Sequence, residues 1–178
     1  MKVFLFIFLA TAAGAKNLHL IDSAPNGFKI YRYGQPSGKE FMEMKLLGIR
    51  EVMILSGDGY KKSNEQERGF EVIYNERQSD DIPVTKEFLG FFDAWVADAK
   101  KNGKSIAFRC ECGCHRTGRL AAYYQMKYQG LEADDAIAIM DEYGSLMFLH
   151  RALYPQVRAL KNLIEGKECG EDLKYCPK

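Results

Sequence analysis

The chain has 178 residues, with 25 lysines and arginines against 24 acids and a formal charge of +1. So balanced a charge lacks the basic stripe expected of a nucleic-acid binder, and the length suits one domain with an adequate core. Met1-Lys2 and the apolar run Val3 to Ala13, closed by Ala13-Gly14-Ala15, have the shape of a secretory signal with small residues at the cut. The run is too short to span a bilayer comfortably. We expect residues 1–15 to be a signal peptide and 16–178 a neutral mature domain, periplasmic or secreted, with no membrane attachment once the signal is removed. In chain order, Phe28 to Tyr33, Glu51 to Leu55 and Phe70 to Tyr74 read as strands, rich in β-branched and aromatic residues. Between them, Ser56-Gly57-Asp58-Gly59-Tyr60-Lys61-Lys62 is the most loop-like insert and could border a site. Residues 84–102 carry Phe88, Phe91, Phe92, Trp95, Val96 and Ala99 at one-face helical spacing, a stripe read as core. Asn102-Gly103 supplies the cap. Lys104 to Phe108 reads as a short buried strand, Leu120 to Met126 and Asp134 to Tyr143 as helices. A last helix follows Pro155 through Ile164, with the proline in its first turn. The alternation predicts a single α/β unit without repeats or linkers.

The loop between the Lys104–Phe108 strand and the next helix reads Arg109-Cys110-Glu111-Cys112-Gly113-Cys114-His115-Arg116-Thr117-Gly118. A strand–loop–helix of this kind aims several backbone N–H groups and a helix N-terminus at one point. A cysteine at such a point is held toward the thiolate, its reactive form. Arg116, six residues after Cys110, offers a planar fork suited to two oxygens of a phosphate. Gly113 allows the positive φ that makes successive N–H groups converge. The Thr117 hydroxyl can donate to the thiolate or to a bound oxygen. These parts suit phosphoryl transfer to sulfur, where catalysis is mostly positioning and charge stabilisation.

Cys110-Glu111-Cys112-Gly113-Cys114-His115-Arg116-Thr117-Gly118 resembles the C-x-x-G-x-x-R-[ST]-G signature of the cysteine-dependent protein tyrosine phosphatase superfamily. The resemblance extends to Tyr31-Arg32-Tyr33-Gly34-Gln35-Pro36-Ser37 with Leu46 to Leu55, similar to the opening of compact bacterial dual-specificity-type phosphatases, and covers roughly Phe28 to Tyr143. One departure is visible: the family usually carries histidine before the nucleophile, where this chain has Arg109. The resemblance implies a single-domain protein tyrosine phosphatase-like fold, a central mixed sheet flanked by helices. It implies Cys110 as nucleophile and Arg116 as phosphate clamp, with Glu111, Cys112, Gly113, Cys114, His115 and Thr117 binding substrate, and no cofactor. Cys110-Glu111 followed by a small residue and Gly113 is most like the tyrosine-phosphatase-like phytases, and Gly113 to Gly118 also looks like a group acting on inositol pyrophosphates. The expected substrate is a small phosphorylated molecule, with inositol polyphosphate first and phosphoprotein as the rival, acted on by a monomer; the alternative to an enzyme is a weakly active phosphate-binding module of the same fold.

A cysteine phosphatase needs a general acid for the leaving oxygen. The family supplies an aspartate some thirty residues before the nucleophile, just ahead of a proline. Here Gln78-Ser79-Asp80-Asp81-Ile82-Pro83 holds that place, and the D-x-x-P pattern selects Asp80 with Asp81 as alternative. Arg77, Lys86, Arg109, His115 and Arg119 lie near the two loops in sequence, and each taken alone reads as solvated surface. Cys169 and Cys176 close a small loop that an oxidising compartment would turn into a disulfide. Cys110, Cys112 and Cys114 lack the Cys-x-x-Cys pairs and second half-site of structural zinc, so no metal is expected there. Cys112 and Cys114 then read as small loop-filling residues that contribute backbone N–H groups, with capture of an oxidised Cys110 as the other possibility.

Overall fold

The computed structural model describes residues 17–57, 63–170 and 172–178. The proposed signal peptide and most of the 56–62 insert fall outside the described residues.

Five strands, β1 (His19–Ser23), β2 (Lys29–Tyr33), β3 (Ile49–Ile54), β4 (Glu71–Asn75) and β5 (Ser105–Arg109), form one sheet in the order β1-β2-β5-β3-β4. Only β1 runs antiparallel to its neighbour; β2, β5, β3 and β4 are mutually parallel, so the sheet is mixed as expected. Among the described residues six α-helices connect and cover it: α1 (Gly38–Leu46), α2 (Asn64–Glu67), α3 (Lys86–Asn102), α4 (His115–Tyr128), α5 (Ala133–Glu142) and α6 (Leu153–Ile164). Strand pleating sends alternate side chains to opposite faces. Ile106 and Phe108 of β5 therefore join α3, α4, α5 and α6 in the larger core, whereas Ala107 meets Tyr31, Tyr33 and the α1 residues Phe41 and Met44 on the other face.

Most strands and long helices fall where the pattern puts them. Gly103 caps α3 in the left-handed region at φ 63°, and Pro155 sits in the first turn of α6. Differences are local. Phe91 of the α3 stripe is 43 % exposed, and Leu89 takes the core place beside Phe88 and Phe92. α4 begins at His115, a full turn before Leu120, because the loop itself winds into the helix. β1, α1 and α2 had no counterpart in the sequence reading. Their signals are short, although Ser37 and Glu40 form a reciprocal capping box on α1 that is visible in Ser-x-x-Glu.

Topology fixes where a site can form. β5 lies between β2 and β3, and its last residue Arg109 pairs with Tyr33 on one side and Ile54 on the other. Chain leaving the carboxyl end of such a central strand enters the crevice where open parallel sheets bind ligands.

Candidate active site

Residues 110–114 turn through that crevice before entering α4. Gly113 has φ 74°, and a Cβ there would lie 2.7 Å from backbone atoms of Tyr33 and Gly34, so only glycine fits. At Gly118 a Cβ would stand 2.8 Å from Met140 Cγ, which lets α4 approach α5 closely behind the loop.

The loop carbonyls are tied from outside. Glu111 O accepts from Gln35 N at 2.7 Å, Cys112 O from Asn17 Nδ2 at 3.0 Å, and Gly113 O from Arg32 Nη2 at 2.7 Å. Because peptide units are planar, carbonyls held outward turn the following N–H groups to the inner side of the loop, where that of Cys114 donates to Cys112 Sγ. Arg32, 2 % exposed, is a cation beneath the loop that sequence reasoning did not assign; a charged residue amid the apolar β2 alternation was its signal.

Cys110 is 1 % exposed at the base of this hollow. The thiol of Cys112, the hydroxyl and backbone amide of Thr117 and the charge of Arg116 hold it well below the usual thiol range, against burial. Cys112 moves the opposite way, chiefly because it shares a proton with Cys110. Its sulfur also accepts from Cys114 N at 3.0 Å, so its side chain does more than fill the loop. Cys114 is buried as the residue preceding α4. Thr117 is fully buried, and its hydroxyl finds no nitrogen or oxygen partner, which leaves it to act on the Cys110 sulfur. Arg116 is half-buried, its Nη1 3.5 Å from Gln78 O. Glu111 is exposed on the outer side of the loop.

Arg109 and Arg119 correct the surface reading given to them, whereas Arg77 and Lys86 are exposed. Arg109, 1 % exposed, forms a two-point ion pair with buried Glu65 of α2 and donates to Ser56 Oγ at 2.9 Å. A fork of five donors can satisfy both partners and brace the strand end in the place of the usual histidine. Arg119, 2 % exposed, holds the acid-bearing segment: it donates to Ile82 O at 3.0 Å, Ser79 O at 2.8 Å and the Gln156 side chain. Gln156 in turn donates to Asp80 O at 2.8 Å. Burial lowers the Arg119 guanidinium to about 10, so it stays charged at neutral pH.

Within that segment the two aspartates part. Asp81 is exposed, while Asp80 feels the charges of Arg116 and Arg119 and bonds His150 Nδ1 through Oδ2 at 2.5 Å. Burial pushes the Asp80 carboxyl up, but its own backbone amide, the His150 ring and Arg116 together carry it below the usual carboxylate range. His150 stacks on His115 with ring centroids 3.5 Å apart, and His115 Nε2 lies 2.6 Å from Ser145 O. Asp80, His115 and His150 each place a ligand-type atom within 4.8 Å of the others. His150 Nδ1 is engaged with Asp80 and His115 Nε2 with Ser145 O. Nothing in sequence order pointed to His150.

In the tail, Cys169 and Cys176 bring their sulfurs to disulfide distance with Cα atoms 5.8 Å apart. No described helix is long and apolar enough to cross a membrane.

A family model of the dual-specificity phosphatase catalytic domain matches residues 30–162. Among solved structures, TpbA of P. aeruginosa in complex with phosphotyrosine is similar over 81% of this chain and 94% of its own, at 18% identity and a TM-score of 0.60. PTPMT1 in complex with PI(5)P matches 84% of this chain and 97% of its own, at 15% identity and a TM-score of 0.62. The core catalytic domain of the PP-IP phosphatase SIW14 from S. cerevisiae matches 89% of each chain, at 20% identity and a TM-score of 0.57. At such identities the structural likeness speaks to the fold. No curated protein matches the sequence.

Proposed function

Since the chain belongs to the dual-specificity phosphatase catalytic-domain family, we propose that it is an exported cysteine phosphatase that hydrolyses inositol polyphosphates through a phosphocysteine intermediate. The family and the fold make it a cysteine-dependent phosphatase. One observation carries the mechanism: a buried thiol, held toward thiolate, sits at the base of the loop beside the Thr117 hydroxyl and amide and the Arg116 charge. Cys110 attacks phosphorus in line, while Arg116 and the loop amides take the equatorial oxygens. Asp80 protonates the leaving oxygen and then draws a proton from the water that releases the phosphocysteine. Glu111, Cys112, Gly113, Cys114, His115 and Thr117 frame the substrate phosphate, and Asp81, turned to solvent, has no part in it.

The inositol reading is supported by the Cys110-Glu111 start of the loop and by likeness to a PP-IP phosphatase and to a protein solved with PI(5)P. Likeness to a protein solved with phosphotyrosine favours phosphoprotein as the second reading. Phosphate release from inositol hexakisphosphate should exceed release from phosphotyrosine peptides at equal concentration, and a clear preference for peptides would reverse the assignment. Export rests on residues 1–15 and on the proximity of Cys169 and Cys176, which an oxidising compartment would bond. Mass spectrometry of the expressed protein should find a chain starting at Lys16 with two thiols fewer than its five cysteines provide. A retained Met1 rejects the signal, and five free thiols reject the disulfide.

A further inference from the structure

We propose that the general acid is a dyad: Asp80 and His150 hold one exchangeable proton between them, and His150 is the positioning residue that stores it. The proposal deepens the phosphatase reading and rests on it. His150 Nδ1 and Asp80 Oδ2 stand 2.5 Å apart, both half-buried. The ring is fixed on its other face by His115, stacked at 3.5 Å and itself anchored on Ser145 O at 2.6 Å. Gln156 fixes the Asp80 backbone from α6. A carboxyl so tethered has the His150 ring as its hydrogen-bond partner before it meets substrate.

The dyad answers a difficulty the geometry creates. A general acid must carry a proton at working pH, yet Asp80 is surrounded by groups that favour its ionised form: Arg116 and Arg119 from α4, and His150 itself, with His115 stacked behind it. An isolated carboxyl there would be empty at neutral pH. An imidazolium on the same hydrogen bond supplies the missing proton, because an imidazole nitrogen is a stronger base than a carboxylate oxygen. The steps balance. As the Cys110 sulfur forms its bond to phosphorus and the P–O bond to the leaving group breaks, His150 Nδ1 passes its proton to Asp80. The carboxyl turns about Cβ–Cγ and delivers that proton to the leaving oxygen, leaving carboxylate and neutral imidazole. In the second half, water attacks phosphorus, its proton returns through Asp80 to His150, and Cys110 leaves as thiolate.

The test is the pH dependence of kcat for phenyl phosphate, whose leaving group needs protonation, beside p-nitrophenyl phosphate, whose leaving group does not, both in chelator-treated buffer. For the wild-type enzyme, kcat on phenyl phosphate should hold through the pH range in which a lone carboxyl has already lost its proton, and fall only above it. In His150→Asn the fall should move by more than about 2 pH units toward acid, to the range of a lone carboxyl. His150→Gln keeps a hydrogen-bond donor without a titrating proton and should shift in the same way. p-Nitrophenyl phosphate should show no such displacement. If Asp80 acted alone, removing His150 would raise its pKa and move the fall toward alkali. A wild-type fall near pH ~4, an alkaline shift, or no shift in either variant therefore overturns the dyad. Because the wild-type profile is decisive alone, a variant that misfolds does not rescue it. Failure of the wild-type enzyme to turn over p-nitrophenyl phosphate overturns the phosphatase reading, and the dyad with it.

Discussion

The loop at 110–116 and the segment at 78–83 face each other across one site but are built on opposite principles. The first is shaped largely by its own residues: Gly113 makes the turn, Gly118 lets α4 close in, and the helix start gathers the amides. The second contributes little to its own shape beyond the Ser79 hydroxyl that receives the Asp81 and Ile82 amides. Arg119 from α4, Gln156 from α6 and His150 ahead of α6 hold it. A nucleophile must lie at one point with respect to its amides, which a short motif can encode. An acid must be placed with respect to another loop, which only tertiary structure can do.

Replacements on the two sides should therefore fail differently. Cys110→Ser removes the covalent step, and turnover of any substrate should fall by ~10^4-fold or more, with loss of the pre-steady-state burst. Substantial residual turnover in that variant would mean that water, not sulfur, attacks phosphorus. Asp80→Asn should cost about 10^2–10^4-fold on phenyl phosphate and much less on p-nitrophenyl phosphate. Asp81→Asn, at an exposed position, should stay within about twofold; equal losses in both would put the donor elsewhere. Arg119→Met sharpens the contrast most, since it keeps volume and touches neither substrate nor Cys110. Loss of its hydrogen bonds to Ser79, Ile82 and Gln156 should displace Asp80 and cost up to ~10^2-fold on phenyl phosphate. p-Nitrophenyl phosphate turnover should survive. An equal loss on both esters would show that Arg119 supports the whole fold rather than the acid segment.

The same contrast explains what was legible in the sequence. Cys110, Arg116, Gly113 and Thr117 announce their chemistry within nine residues, and the α3 stripe with its Gly103 cap reads from period and cap alone. Arg119 and Arg109 looked like surface charge because nothing nearby in sequence reveals Glu65 or the carbonyls they meet in the folded chain. Asp80 was selected over Asp81 by its distance from Pro83, but its partner His150 stands seventy residues away and comes close only through the packing of α4 with α6. β1 and α2 are too short, at five and four residues, for any period to show. Placement of β5 between β2 and β3 is a property of the sheet, and no local pattern carries it.

The smallest expected effect separates the two regions by pH. Folding lowers the Cys110 pKa, and an unfolded thiol titrates near ~8.5. Between the folded value and ~8.5 the native protein has lost a proton that the unfolded chain retains, so this group adds stability as pH rises. The contribution is complete above ~8.5 and disappears as pH falls through the folded value, with a slope of at most ~1.4 kcal/mol per pH unit. Cys112 is pushed upward and stays protonated over that range. Asp80 is pushed downward, so its own linkage lies below the usual carboxylate range and does not overlap. Denaturant titrations of the wild-type protein and Cys110→Ser from pH 5.5 to 8.5, with reductant present, should thus show a stability difference that drifts in favour of wild type as pH increases. A difference that is flat across the window would mean that Cys110 rests as a thiol, and the loop would then need its substrate to ionise it.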